Sequence, residues 1–288
     1  MKQHTYTNLS VEGHKYLEAP RWHDGKIWAS DFFNRRVITV DPANGSVETI
    51  LDVPGQPSGL GFLADGSLLV VSMVDKKVLR RNPNGDVTVY ADLSDLCEGH
   101  VNDMFVTAAG HAYVGNFGFE LGAEDPRTTH VVHITPDGTA TAEPGDIMFP
   151  NGMQVTPDGK TLIVNELFAH RISAYDIAAD GSLSNYRLWA DMPESFHPDG
   201  LTIDTDGGVW MGNALTEGPE AGFYRVEEGG KITDVILIPD GWGVAPWFGG
   251  PDRDVLYFVS CDTNLDRFAV EDSSAFVRYA NVGRKGYA

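Results

Sequence analysis

The chain alternates between short hydrophobic runs of β type and polar turns over its whole length. Runs such as "SLLVVS", "TLIVNE" and "VLYFVS" each follow a turn such as "ADG", "PDG" or "PDRD", and a second strand-like run comes after each of them. Asp-Gly and Asn-Gly dipeptides between hydrophobic runs are strong hairpin signals. Most of these pairs continue into further strand-like runs, and we therefore predict six units of about four strands.

Repeats of this length and strand count are typical of propeller blades. A parallel α/β fold would need helical crossovers between its strands, and the chain has no long stretch of helical period. We predict an all-β, six-bladed β-propeller, with residues 1–288 as a single domain and residues 6–11 as the outer strand of the last blade. In that blade the run "DRFAVE", residues 266–271, is expected to be a strand. The long segment 116–130 is expected to form a lid or rim loop on blade three.

Aligning the units on their turns brings one position of each blade into a common ring, because the first strand of every blade lines the central channel. The separations along the chain are 40, 44, 49, 48 and 46 residues, and the ring consists of Glu18, Ser58, Asn102, Asn151, Asp199 and Ala245. Two carboxylates and two amide carbonyls suit a hard divalent cation such as Ca²⁺. The ring contains no Cys or His, which disfavours a structural zinc site.

A turn is the simpler interpretation of each of these motifs alone, because Asn, Asp and Ser before Gly are common turn residues. The recurrence of Glu18, Asn102, Asn151 and Asp199 at one blade position favours a shared site instead. Clustered carboxylates at a channel mouth repel each other unless a cation or a proton relieves them. We therefore predict a central metal site with these four side chains as ligands.

The charge balance narrows the classes of partner. The chain has 21 basic and 41 acidic residues, a formal net charge of −20. Phosphate-backbone binding needs a basic face, so nucleic acid is excluded as a partner, and anionic membrane surfaces are disfavoured. Cys97 and Cys261 form no CxxC pair, so a disulfide framework is not expected. The start of the chain has no apolar core of a signal peptide, and no window approaches a membrane span. We expect a cytoplasmic protein.

Several motifs together resemble the SMP-30/gluconolactonase/luciferin-regenerating enzyme family. "LEAPRW" is similar to its Glu-x-Pro-x-Trp opening and "HVNDM" to its Arg-x-Asn-Asp segment. "FPNGMQVTPDGKTLIVNELFAHRISAYDI", "HPDGLTIDTDGGVWMG", "FGGPDRDVLYFVSC" and "VGRKGY" are also family-like, so the resemblance covers nearly the whole chain.

The resemblance implies a six-bladed propeller with one divalent metal in its channel. By this resemblance Glu18, Asn151 and Asp199 are metal ligands. Asn102 matches a residue that contacts the metal, its water or the substrate. The common activity of the family is hydrolysis of lactones, and some relatives hydrolyse phosphorus esters or anhydrides. From the chemistry of the residues, we expect a metal to polarise the ester carbonyl and Asp199 to act as general base towards water.

The sequence departs from the family pattern where an arginine often binds sugar hydroxyls. His100 stands there, and an imidazole cannot offer the fixed donor fork of a guanidinium. We expect His100 and His197 to contact substrate, together with Asn102. Apolar residues near the loop ends, among them Phe119 and Trp247, could line the pocket. These features predict a lactone or ester that is less polar than a sugar lactone, aromatic or alicyclic.

Three alternatives stay open at this point. The same site could hydrolyse phosphorus esters, or the propeller could be a non-catalytic binding module with Ca²⁺ as a staple. Oxygen ligands also admit Mg²⁺, Mn²⁺ and, less comfortably, Zn²⁺. A serine-hydrolase route is weak, because "GQPSGLG" around Ser58 is not the G-x-S-x-G nucleophile elbow. The sequence does not indicate an oligomeric state.

Overall fold

The computed structural model describes residues 1–287, whose strands form six sheets that are antiparallel except for one pair. Blade one contains β3 (Leu17–His23), β4 (Lys26–Asp31), β5 (Arg36–Val40) and β6 (Val47–Asp52). Blade two contains β7 (Pro57–Phe62), β8 (Leu68–Ser72), β9 (Lys77–Arg81) and β10 (Val87–Asp92). Blade three contains β11 (Val101–Val106), β12 (Ala112–Asn116), β13 (Val132–Ile134) and β14 (Ala140–Ala142).

The second half of the ring follows the same plan. Blade four contains β15 (Pro150–Val155), β16 (Thr161–Glu166), β17 (Arg171–Ile177) and β18 (Leu183–Asp191). Blade five contains β19 (Pro198–Ile203), β20 (Val209–Asn213), β21 (Gly222–Glu227) and β22 (Lys231–Leu237). Blade six contains β23 (Trp242–Gly249), β24 (Val255–Asp262) and β25 (Ser274–Ala280). Its outer strand is β2 (Thr7–Ser10), and β1 (Lys2–Gln3) precedes it.

The six sheets form a closed ring, as the repeat predicts. The innermost strand of each blade contacts the innermost strand of the next, and β23 of blade six contacts β3 of blade one. Hydrophobic side chains at alternate strand positions fill the spaces between neighbouring sheets. Among residues 1–287, no helix has the length and apolar character that a membrane crossing requires.

The start of the chain fastens the ring. Strand β2 pairs with β25 at the outer edge of the last blade. Strand β1 makes an additional parallel pair with β22 of blade five, which the sequence did not reveal. The buried His4 side chain then donates a hydrogen bond from Nε2 to Oδ1 of the buried Asp234 at 2.8 Å. The first ten residues therefore link blades five and six.

The prediction of a strand at residues 266–271 is wrong. A short helix, α1 (Leu265–Phe268), occupies this segment, and the third strand of blade six is β25. Asn264 caps the helix because its side-chain oxygen accepts a hydrogen bond from the Arg267 amide at 3.0 Å. The Arg267 guanidinium also bonds to Asp262 and Asp272, which holds the segment in a tight turn outside the sheet.

Each innermost strand has a β-bulge at the ring position. The pairing register shifts next to Glu18, Asn102, Asn151 and Asp199, and equivalent shifts occur in blades two and six. Bulges bend a strand and re-aim its side chains, and they are common next to active sites. The repeated bulge thus turns one side chain of each blade toward the channel mouth.

Close packing of neighbouring blades explains the glycine that follows the ring residue. A Cβ on Gly152 would lie 2.4 Å from the Leu201 nitrogen, and one on Gly200 would lie 2.2 Å from the Ala245 Cβ. Both glycines lie inside strands and not in turns. The Asn-Gly and Asp-Gly dipeptides here therefore serve strand contact, whereas the same dipeptides elsewhere serve hairpin turns.

Candidate functional site

Four blades contribute oxygen-bearing side chains to one cavity at the channel mouth. Glu18, Asn102, Asn151 and Asp199 all line this cavity of about 560 Å³, and all four are buried. We call these four side chains the floor. The structure thus brings together every residue that the ring alignment selects as a ligand, although the smaller ring members Ser58 and Ala245 do not line the cavity.

Hydrogen bonds from the neighbouring strands hold the floor. Asn165, near the end of β16, donates to the backbone oxygen of Asp199 at 2.6 Å. Asn213, at the end of β20, accepts a hydrogen bond from the His197 amide at 2.7 Å and so fixes the approach to Asp199. Ser58 donates to the Asn102 side-chain oxygen at 3.4 Å. The ring residues are therefore positioned by the sheets and not by mobile loops.

The backbone beside the floor is strained at two positions. Ala19 follows Glu18 with φ of 47°, and Phe149 lies two residues before Asn151 with φ of 51°. A left-handed conformation costs roughly 1–2 kcal/mol for a residue with a Cβ, and such residues cluster at functional sites. The strained backbone at Ala19 and Phe149 therefore lies beside the side chains of the floor.

The two floor carboxyls carry an electrostatic penalty. Burial raises the pKa of Glu18 well above its ordinary value, and the Asp199 and Asp103 carboxylates raise this pKa further. Burial, followed by the charge of Asp103, likewise raises the pKa of Asp199, against a lowering by a hydrogen bond from Asn151. Two buried carboxyls that resist ionisation favour the binding of a proton or a cation between them.

The amides of the floor are a second indication of a cation site, after the buried carboxyls. The Asn151 side-chain oxygen is buried and has no hydrogen-bond partner among the described residues. An unpaired carbonyl oxygen beside two carboxyls is suited to a hard cation. No group of three or more His, Cys, Asp and Glu side chains that could hold a metal occurs within residues 1–287. Any oxygen site here must therefore include amides, and the floor fits that requirement.

Two aromatic groups form facing walls above the floor. The first group packs around Tyr16, whose ring centroid lies 5.1 Å from that of Phe268 and 6.4 Å from that of Trp242. In the second group, Phe149 stacks on Phe117 with centroids 4.3 Å apart and meets Phe168 edge-on at 5.1 Å. Members of both groups line the cavity, which is therefore a largely apolar slot above a polar floor.

The two histidines that the sequence suggests as substrate contacts lie in different places. His197 lines the cavity, and burial followed by the charge of His170 lowers its pKa, which keeps the imidazole neutral near pH 7. His100 lines an adjacent chamber of about 450 Å³ and packs on Phe117 with centroids 5.6 Å apart. Phe117 and Leu121 line both spaces, so they form a shared wall.

The two suggested apolar contacts lie outside the cavity lining. Phe119 is fully buried, lines the adjacent chamber and packs against Phe149 and Phe168, which line the cavity. Trp247 lies further along β23 and covers the Arg21 guanidinium at 4.3 Å. Both side chains support residues around the cavity and do not line it.

Some residues that line the cavity were not predicted from the sequence. Tyr16 lies two residues before Glu18, and that spacing puts both side chains on one side of an extended chain. Leu265 and Phe268 belong to the misassigned segment α1, which covers one side of the mouth. Leu121 and Gly122 come from the long blade-three segment, as expected of a rim loop. The sequence signal for Tyr16 is its position two residues before a ring residue.

The fold and the site together define a six-bladed propeller with an acidic and amide-lined pocket at one channel mouth. The family profile described as the SMP-30/Gluconolactonase/LRE-like region matches residues 17–262. The chain belongs to this family.

Several named proteins are similar to this chain over most of its length. Pentonolactonase XacC from Haloferax volcanii is 28% identical over 269 residues, which cover 88% of this chain and 84% of that protein. A 6-deoxy-6-sulfogluconolactonase from Pseudomonas putida is 24% identical over 261 residues, with 86% and 84% covered. The crystal structure of regucalcin from Agrobacterium tumefaciens, a calcium-binding protein, superimposes with a TM-score of 0.83 at 20% identity. The superposition covers 100% of this chain and 97% of the regucalcin chain.

Proposed function

We propose that this protein is a lactonase that depends on a divalent metal. The relatives named as pentonolactonase and 6-deoxy-6-sulfogluconolactonase support lactone hydrolysis. The observation that carries the proposal is the convergence of four oxygen-bearing side chains from four blades on one cavity. A propeller that only binds other proteins has no need for converging buried carboxyls in its channel.

Glu18, Asn102, Asn151 and Asp199 are the residues that would hold the metal. A divalent ion, Ca²⁺ before Mg²⁺, Mn²⁺ or Zn²⁺, would supply charge to polarise an ester carbonyl. The unpaired Asn151 oxygen supports this assignment. In Asn102 the side-chain nitrogen has no partner and the oxygen faces Ser58. Rotation of this amide would let the nitrogen bond to Ser58 and would turn the oxygen to the cavity.

Asp199 is our choice for the general base. Its carboxylate takes a proton from a water molecule, and the water oxygen forms a bond to the lactone carbonyl carbon. The ring C–O bond then breaks, and the departing ring oxygen takes up a proton, which gives a hydroxy acid. We assign Glu18 the role of a ligand only.

The substrate we propose is a lactone less polar than a sugar lactone. The aromatic walls around Tyr16 and Phe149 match a planar or alicyclic ring. His197 and Asn102 are the polar anchors within reach of such a ring. His100 would contact only a substrate that extends past Phe117 into the adjacent chamber, and Phe119 and Trp247 would act through the residues they support.

A panel of substrates tests the proposal. The protein is treated with a chelator, refilled with each metal in turn, and assayed on gluconolactone, on a dihydrocoumarin-type lactone and on a phosphotriester. We expect turnover of the aromatic lactone that is lost with the chelator and restored by metal. A strong preference for gluconolactone would contradict the substrate assignment. Turnover of the phosphotriester alone would favour the phosphorus-ester alternative, and no turnover at all would favour a binding module.

Asp199→Asn tests the general base. We expect a fall in kcat of about 10²–10⁴-fold, the usual contribution of general acid–base catalysis, with the fold intact. Asp158→Asn is the matched control, because Asp158 bonds only within an exposed turn. Wild-type rates in Asp199→Asn would remove the assignment.

A further inference from the structure

A buried ion pair lies directly beneath the floor. Arg21, three residues after Glu18 on β3, reaches across the channel to blades two and three. Its Nε donates to the Leu60 carbonyl at 3.0 Å, and its Nη2 donates to the Met104 carbonyl at 2.7 Å and to Asp103 Oδ1 at 3.1 Å. The guanidinium is therefore held by hydrogen bonds to blades two and three.

Trp247 of blade six closes this layer. Its ring lies 4.3 Å from the central carbon of the Arg21 guanidinium, a cation–π contact. Arg21 and Asp103 are both almost fully buried, at 6% and 3% exposure. Water therefore screens the charge of Arg21 weakly, and this charge acts on the floor at short range.

The charges in and beneath the floor do not balance within the chain. Asp103 follows the floor residue Asn102 on β11 and pairs with Arg21 at 3.1 Å, so a third buried acidic group lies next to the floor carboxyls Glu18 and Asp199. The basic side chain beside this group is Arg21, which shares β3 with Glu18 and bonds to Asp103. With all acids ionised this group has a net charge of −2, and a divalent cation would make it neutral. Without Arg21 the net charge would be −3, which a trivalent cation would match.

We propose that Arg21, through its ion pair with Asp103, selects the charge of the cation that the floor accepts. This role rests on the proposed metal site and concerns its preference for divalent over trivalent ions. Arg21 touches neither substrate nor metal in this proposal and acts as a specificity-determining neighbour. The sequence offers it only as the variable residue inside "LEAPRW".

The measurement is terbium luminescence, which needs no turnover. Tyr16 and Trp242 line the cavity and can sensitise Tb³⁺ bound at the floor. Metal-free protein is titrated with Tb³⁺ and the ion is then displaced with Ca²⁺, which gives the ratio of the two affinities. In Arg21→Met we expect this ratio to rise by about tenfold or more, because a tripositive ion gains more than a dipositive one when a nearby positive charge is removed.

Two further variants keep the test decisive. Asp103→Asn removes a negative charge and should lower the Tb³⁺/Ca²⁺ ratio, and the double variant Arg21→Met/Asp103→Asn should return it to the wild-type value. If Arg21→Met alone does not fold, Asp103→Asn and the double variant still test the effect of charge. The control is Arg225→Met, which breaks a similarly buried pair with Asp204 at 2.6 Å in blade five. Its ratio should stay at the wild-type value.

The outcomes separate this role from the metal site itself. Equal ratios in the wild type, Arg21→Met, Asp103→Asn and the double variant would overturn the role of Arg21 and leave the metal site standing. A ratio that shifts equally in Arg225→Met would overturn it too, because the effect would then follow from lost stability. No sensitised Tb³⁺ emission and no Ca²⁺ binding in the wild type would overturn the metal site, and the role of Arg21 with it.

Discussion

Gly200→Ala is the sharpest test of how the blades position the floor. The added Cβ would lie 2.2 Å from the Ala245 Cβ and 2.7 Å from the Ala245 Cα. Carbon atoms in contact prefer about 3.5–4.0 Å, so the innermost strands of blades five and six must separate by roughly 1.3–1.8 Å. Gly200 is adjacent to Asp199, and this separation would therefore move a floor carboxylate.

The expected cost lies near the upper end of the range for overpacked sites. Overpacking typically costs about 1–3 kcal/mol, and neither an added methyl nor Ala245 has another rotamer with which to escape. At about 2–4 °C per kcal/mol, a cost of about 3 kcal/mol lowers Tm by about 6–12 °C. Cation binding at the floor should weaken as well.

Thermal unfolding with and without Ca²⁺ measures both effects. Gly159→Ala is the control, because Gly159 has φ of 72° with no atom within 4 Å of the added Cβ. Its left-handed backbone should cost about 1–2 kcal/mol without any change in cation affinity. Equal losses of stability and equal Ca²⁺ affinities in the two variants would refute a positioning role for the contact between Gly200 and Ala245.

Three other predictions concern the floor, the walls and the thiols. Burial and Asp199 raise the pKa of Glu18, so the metal-free folded state holds protons that the unfolded state has released. Its free energy of unfolding should then fall as pH rises above the ordinary carboxyl range, with a shallower slope in Glu18→Gln; parallel slopes would contradict this. Phe168→Ala, which trims one wall, should raise KM for aromatic lactones by about tenfold with little change in kcat, whereas an unchanged KM would exclude Phe168 from binding. Burial raises the pKa of Cys97 and Cys261 to about 12, so an aromatic disulfide reagent should not label the native protein at pH 8. Rapid labelling would show that the thiols are more accessible than the structure indicates.

The sequence predicts the propeller and its ring because both follow from a repeat. A repeated turn sets the strand register, and the register selects one side chain per blade. The sequence alone therefore predicts that Asn151 and Asp199 lie together at the channel. The same reasoning places His100 and Trp247 less well. Offsets of one or two residues from a bulge decide which way a side chain points, and the bulge itself is visible only in the pairing.

The error in blade six has a different origin. The runs at residues 266–271 and Ser274–Ala280 both contain apolar and charged residues, and local pattern alone does not rank them. Pairing decides: β25 lies between β24 and β2, and the partner strand β2 comes from the opposite end of the sequence. Reasoning within one repeat cannot weigh a contact of that separation.

The closure of the ring by β2 also sets the timing of folding. The hydrogen bond between Asn8 and Arg278 joins residues 270 positions apart. Closing such a loop costs about 5 kcal/mol of chain entropy, against about 2 kcal/mol for a ten-residue hairpin. At about 5–20 residues per second, β2 is synthesised roughly 14–54 s before its partner strand. Blade six, and with it the cavity wall at Trp242, is therefore the last part of the site to form during synthesis.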